Sequence, residues 1–171
     1  MPTIHGRHNG RQLFLQVAII HPDDFRSYVG SPARFLRDYK AFDALVDTGA
    51  TATMISPRVV AALNLLPVGR LPLATIGREV MWPWAHLFHV GFVVTQLTRP
   101  NYPTPPDDAT KFYSVHVNKA VIRGGEMPDE TGFDVLLGMD IITTGRLEVA
   151  PGGDFSFTFN ESWLITPHDG A

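Results

Sequence analysis

The stretch Ala44-Leu45-Val46-Asp47-Thr48-Gly49-Ala50-Thr51 runs from three apolar residues straight into an aspartate, then into a hydroxyl residue, a glycine and two more small residues. A short apolar run of this kind fits a buried strand. Leu45 and Val46 would deliver Asp47 to a site where the chain turns. Thr48 offers a short hydroxyl to lock that turn. Gly49 lets the backbone turn sharply and leaves room for another molecule to approach. Ala50 keeps the adjoining space small.

By itself, Asp-Thr-Gly is also an ordinary turn after a strand, because Asp and Gly are common turn residues. Three neighbouring features argue for more. The apolar run before it is clean. Ser56-Pro57 follows, a helix start with serine as N-cap and proline at the first helical position. Far downstream, a second apolar run, Val135-Leu136-Leu137, ends in Gly138-Met139-Asp140 and can meet the first only through tertiary contact.

On these residues the chain resembles the retropepsin-like aspartic proteases, the single-domain group that includes retroviral proteases and their bacterial relatives. The matching segments are Ala44 to Thr53 (ALVDTGATAT) and Phe133 to Asp140 (FDVLLGMD), the second fitting a hydrophobic-hydrophobic-glycine pattern before a short helix. The family carries a β-hairpin flap over its substrate, and Leu73 to Trp84 (LATIGREVMWPW), turning near Gly77, stands where that flap should be. The resemblance implies an all-β fold, a small closed barrel with one to three short helices. It implies one domain over residues 1–171, with a loose N-terminus at 1–10 and insertions at 21–40 and 98–130 relative to the minimal fold. It also implies Asp47, Thr48 and Gly49 as the catalytic residues, with Thr48 bracing two subunits near the acids. Ala50, Ile76, Gly77 and Val80 are the residues expected to touch substrate.

The chemistry behind that expectation needs two carboxylates. Peptide hydrolysis without a metal or a nucleophilic side chain calls for an activated water. An ionised carboxylate takes the water's proton while a protonated one polarises the scissile carbonyl. Like charges about 3 Å apart cannot both ionise, so such a pair holds one proton jointly. There is one Asp-Thr-Gly here and no Asp-Ser-Gly, and no internal repeat. A homodimer with an Asp47 from each copy is therefore the expected enzyme: an aspartic endopeptidase acting on peptides or proteins. A catalytically silent dimerisation or peptide-binding module is the alternative.

Composition sets the outer bounds. A length of 171 residues suits one domain with a real core. The formal charge of −3 gives no electrostatic reason to expect a nucleic-acid partner. Without cysteine there is no disulfide frame or thiol chemistry, which suits a reducing compartment. The opening residues MPTIHGRHNGRQ lack the apolar core of a signal peptide, and no apolar run is long enough to span a membrane. A cytoplasmic protein without cofactor, metal or membrane partner is the expectation.

Along the chain, Gln12 to Ile20 reads as a strand that His21-Pro22-Asp23-Asp24 ends. Ser31-Pro32 opens a candidate helix to Tyr39. Pro57 to Leu65 is a helix with Val59, Val60 and Leu63 on one face. Leu87 to Thr95 is β-rich, and the proline-dense 99–108 is a loop. Phe112 to Ile122 is a strand and Gly124 to Gly132 a loop. Asp140 is expected to cap a helix over Ile141 to Thr144. The last strands, Arg146 to Val149 and Phe155 to Phe159, are joined at Pro151-Gly152-Gly153-Asp154, with Phe155, Phe157 and Phe159 on a buried face.

Other side chains invite functional readings and are better explained structurally. Asp43 lies four residues before Asp47 and reads as a solvated strand residue. His86 and His89 have a helical ligand spacing, but on a strand they face opposite sides. Trp82 and Trp84 flank Pro83 and read as packing or hinge residues at the base of the flap, or else as an aromatic wall for substrate side chains.

Overall fold

Phe88, Val90 and Phe92 alternate along one long strand and are fully buried; Leu15, Val17 and Ile19 do the same on another. These two period-two faces meet inside a closed barrel. The computed structural model describes residues 3–28, 41–74, 79–97, 112–118, 120–128, 131–159 and 162–165. In chain order its elements are β1 (Thr3–His5), β2 (Arg7–His8), β3 (Leu13–Ile20), α1 (Pro22–Tyr28), β4 (Ala41–Val46), β5 (Met54–Ile55) and α2 (Pro57–Leu63). There follow β6 (Pro67–Arg70), β7 (Leu73–Ala74), β8 (Val80–Met81), β9 (Trp84–Leu97), β10 (Phe112–Asn118) and β11 (Ile122–Glu126). The chain continues through β12 (Val135–Leu137), α3 (Met139–Ile142), β13 (Gly145–Val149), β14 (Phe155–Phe159) and β15 (Ser162–Ile165).

The fold is all-β, with three short helices among the described residues. The hydrogen-bonded order β9-β11-β5-β12-β4-β3 returns to β9 through the β3–β9 pairing, so six strands close into a ring. β10 and β15 extend the sheet beyond β9, β2 extends it beyond β3, and β6 flanks the first residues of β9. A three-stranded sheet, β1-β14-β13, packs against the barrel. Its contribution is aromatic: Phe155, Phe157 and Phe159 are buried on one face, as their alternation predicts. Phe92 lies 5.7 Å from Phe157 and 4.2 Å from Phe159, ring centre to ring centre, and the latter two meet edge-on at 4.7 Å. These rings join barrel and small sheet into one apolar core.

Several local readings change in three dimensions. Within the stretch 1–10 expected to be loose, residues 3–5 and 7–8 form strands: β1 pairs with β14 and β2 with β3, because Ile4 has a place in the core and Thr3 meets Thr158, Oγ1 to Oγ1, at 2.8 Å. His21 to Asp24 is the start of α1 rather than a plain break. Pro22 is its first residue, Asp23 and Asp24 fill its first turn, and His21 Nδ1 accepts from the Asp23 N–H at 3.1 Å. The two glycines at 124 and 125 belong to β11, a barrel strand, although the sequence suggested a loop there. A Cβ on Gly124 would fall 2.4 Å from the Phe88 ring, so glycine is what lets that ring fill the barrel. β10 and β11 thus lie in the 98–130 stretch expected as an insertion. α2 begins as read, with the Val59 N–H donating to Ser56 Oγ at 3.3 Å. It ends earlier, at Leu63, with Asn64 in the left-handed conformation at φ 50°. The candidate helix 32–39 and the proline-rich loop 99–108 lie outside the described residues. Among the described residues no helix is long and apolar enough to cross a membrane.

Asp134 ties three elements together. Its carboxylate accepts from Arg58, through Nε at 2.8 Å and through Nη2, and from Ser56 Oγ at 3.2 Å. Its backbone carbonyl accepts from the Ser56 N–H at 2.8 Å, and its own N–H donates to Asp43 O at 3.1 Å. The start of α2, the entry to β12 and strand β4 are thereby held in register.

Two outcomes test this core. Phe92→Ala is expected to lower unfolding stability by about 3–5 kcal/mol in a denaturant titration, because its ring bridges two sheets. His89 packs beneath α1, its ring stacked on Phe25 at 4.1 Å, with Nδ1 donating to Asn118 O at 3.2 Å. Burial pushes its pKa down, against the raising effect of the Asn118 and Ala120 carbonyls. The unfolded chain therefore binds the proton more readily, and His89 removes stability as pH falls below about 6.5. A His89→Gln variant should show a flatter stability profile between pH 7 and 5.

Candidate active site

The aspartate at the end of β4 is placed by its neighbour in the sheet. β12 runs parallel to β4, with Val135 opposite Ala44, Leu136 opposite Leu45 and Leu137 opposite Val46. On its other side β12 pairs antiparallel with β5, Val135 opposite Ile55 and Leu136 opposite Met54. One strand thus lies between the entry and the exit of the loop 47–53. The ladder extends one step into that loop, where the Asp47 N–H donates to Leu137 O at 3.0 Å.

Inside the loop the chain folds back on the carboxylate. The Gly49 N–H donates to Asp47 Oδ1 at 2.8 Å, and the Ala50 N–H to Asp47 O at 3.2 Å. This is the local turn that aspartate favours. A Cβ at position 49 would stand 3.2 Å from Oδ1, so the glycine keeps the carboxylate uncrowded. Asp47 and Ala50 are partly exposed, and Thr48 and Gly49 are exposed. The structure therefore gathers Asp47, Thr48, Gly49 and Ala50 in one tight turn facing solvent.

A corner of the chain just after β12 grips the far half of the loop. The Met139 N–H donates to Ala50 O at 2.8 Å. Thr53 donates twice to Asp140, from its N–H to Oδ2 at 2.9 Å and from Oγ1 to Oδ1 at 2.6 Å. Thr53 Oγ1 in turn accepts from the Gly138 N–H at 3.1 Å. At Gly138 a Cβ would lie 2.5 Å from the Ala52 carbonyl carbon, so no larger residue fits without moving the loop. Asp140 is not the helix N-cap that the sequence suggested. Gly138 holds the N-cap position of α3, without a side-chain bond, and Asp140 lies in the first turn. Its carboxylate is turned across to the buried Thr53. Thr53 and Asp140 are the residues that local reading missed, for their partnership joins positions 87 residues apart.

The stretch expected as a flap contains two short antiparallel strands among its described residues. β7 and β8 form a two-stranded sheet of their own, Leu73 opposite Met81 and Ala74 opposite Val80. Its legs join the barrel through β6 and β9, with Arg70 opposite Trp84 and the Leu71 N–H donating to Pro83 O at 3.0 Å. The Arg70 guanidinium lies over the Trp84 ring at 3.5 Å and donates to Trp82 O at 2.9 Å. Trp84 thus packs at the root of the hairpin while staying 45% exposed, and Trp82 is 58% exposed. Val80 is exposed on β8, in a different sheet from the Asp47 turn. Ile76 and Gly77 lie outside the described residues.

Asp43 is exposed, 3.5 Å from the Arg7 guanidinium, as a solvated strand residue should be. His86 and His89 are separately engaged: His86 Nε2 meets Glu126 Oε2 at 3.0 Å, while His89 packs on Phe25. Among the described residues no three His, Cys, Asp or Glu side chains converge as metal ligands would.

No family model matches this chain, and no curated protein matches it. Among solved structures, the crystal structure of a retropepsin-like aspartic protease from Rickettsia conorii is similar, at 11% identity and a TM-score of 0.44 over 96% of this chain and 93% of that one.

The absence of space at residue 138 gives a direct check. Gly138→Ala should cost about 1–3 kcal/mol of stability, read in a denaturant titration, since the added methyl meets backbone rather than a movable side chain.

Proposed function

We propose that this protein is a homodimeric aspartic endopeptidase. The observation that carries the reading is the setting of Asp47. Its Oδ1 is fixed by the Gly49 N–H, the residue is partly exposed, and the turn around it is clamped on both sides by the β12–α3 corner. A rigid carboxylate facing solvent on a Gly-containing turn is what general acid–base chemistry on water requires.

One such group does not suffice. A second carboxylate must share its proton, and Asp140, which follows the second apolar run, has both oxygens engaged by Thr53. The partner acid is then Asp47 of another copy, related by a two-fold axis. Such an interface is self-complementary, and Thr48 beside each acid would brace it. An extended peptide would lie between the dyad and the hairpin, adding its backbone to the hairpin's strands. Ala50, Ile76, Gly77 and Val80 would line the groove and favour apolar side chains beside the scissile bond. The cysteine-free chain suits a cytoplasmic setting.

The test is digestion of a peptide library by the purified protein beside Asp47→Asn. The wild type should cut and the variant, still folded and dimeric, should lose cleavage by several orders of magnitude. Activity should peak at mildly acidic pH, because the dyad must keep one proton, and should fall on dilution below the dimer dissociation constant. Wild-type protein that binds peptides without cutting them would favour a silent binding module. A rate still rising at pH 9 would contradict a proton-sharing pair.

A further inference from the structure

We infer that Asp140 is a positioning residue for the Asp47 carboxylate, acting through Thr53. The inference rests on the endopeptidase reading for its kinetic consequences, though not for its structural one.

The loop 47–53 is anchored unequally. Its entry is secured by the β4–β12 ladder and the Asp47 N–H bond to Leu137 O. Its exit leads into β5, a strand of only two residues, Met54 and Ile55. Beyond the short pairings of β5 with β12 and β11, the exit is held by the group of hydrogen bonds around Thr53. That residue is 0% exposed, and its N–H and hydroxyl both donate to Asp140, at 2.9 and 2.6 Å. Asp140 Oδ1 also accepts from the Ile141 N–H at 2.9 Å. Three donors thus converge on one carboxylate, and the Thr53 hydroxyl passes the connection on to the Gly138 N–H.

This arrangement is chemically selective. A carboxylate accepts at both oxygens, whereas an amide accepts at one and presents an NH2 group at the other. Asn at position 140 would set its NH2 against either the Thr53 N–H or the Ile141 N–H, two backbone groups that can only donate. With no acceptor, the Thr53 donors stay buried and unpaired, a state the chain relieves by moving the loop toward water. Ala50 and Ala52 lie within that loop, so its movement reaches the Gly49–Asp47 contact. Two carboxylates that must share a proton tolerate little of this, since a displacement of about 1 Å costs on the order of 100-fold in rate.

The experiment compares Asp140→Ala, Asp140→Asn, Thr53→Val and the conservative Thr53→Ser in the full-length chain. Each is assayed for kcat and KM across pH, and each is followed by the amide NMR signal of Gly49. Asp140→Ala and Thr53→Val should lower kcat about 100-fold with KM within about twofold, alter the pH profile of kcat, and shift the Gly49 signal. Asp140→Asn should fall between these variants and the wild type, and Thr53→Ser should restore most of kcat. Measurements at a temperature where each variant is fully folded separate this from lost stability. Should Asp140→Ala prove unfolded, the milder Asp140→Asn and Thr53→Ser pair carries the comparison. Unchanged kcat and an unmoved Gly49 signal in the folded variants would overturn the inference, as would a lowered melting temperature with no kinetic or NMR change. A wild type without peptidase activity defeats the endopeptidase reading alone, because the Gly49 signal still reports whether Asp140 holds the turn.

Discussion

The parallel pairing of β12 with β4 is the constraint on which the site depends. It brings Leu137 beside Val46 and gives the Asp47 N–H its acceptor in Leu137 O. Because β12 also pairs with β5, a single short strand fixes both ends of the turn that carries Asp47. The same strand leads straight into Gly138, Met139 and Asp140, whose contacts close over Ala50, Ala52 and Thr53. Position and rigidity of the carboxylate therefore share one source. A parallel pair needs a long connection, and here that connection is most of the molecule, so the site exists only once the barrel has closed.

The rest of the architecture supports that closure. β9 is the longest strand, with β3, β11, β10 and β6 all bonded to it. Its inward face, Phe88, Val90 and Phe92, fills the barrel and meets the phenylalanines of β14. Its first residues hold the root of the β7–β8 hairpin through Trp84 and Arg70. A rigid strand thus connects the core to the element expected to cover substrate. The hairpin itself has a ladder of its own, and a proline on each leg, Pro72 and Pro83, at the level where the main ladder stops. The turn that carries Asp47 is thus bonded to the barrel, whereas the hairpin strands pair with each other.

Much of this is legible along the chain where the signal is local. Alternating phenylalanines identified the buried face of β14, and apolar, β-rich composition marked β3 and the β9 region; Ser56-Pro57 marked the start of α2; and the Asp47–Ala50 turn follows from Asp and Gly in the positions their backbone chemistry favours. Errors arose where a residue's meaning lay in a distant partner. Gly124 and Gly125 read as loop because the Phe88 ring that needs the space lies on another strand. Residues 1–10 read as loose because β14, at the other end of the chain, supplies the pairing of β1. Asp140 read as a cap because Thr53 cannot be seen from its neighbours in sequence.

The amino-acid order alone determined the all-β character, the two apolar runs and the turn that presents Asp47, since these rest on side-chain periodicity and on the backbone preferences of Asp, Gly and Pro. Tertiary structure decided which strand lies beside Asp47, which residues clamp its loop, and that Asp140 faces Thr53. Those outcomes are hydrogen bonds and close contacts between segments far apart in the chain, and they come into being only when the six strands close.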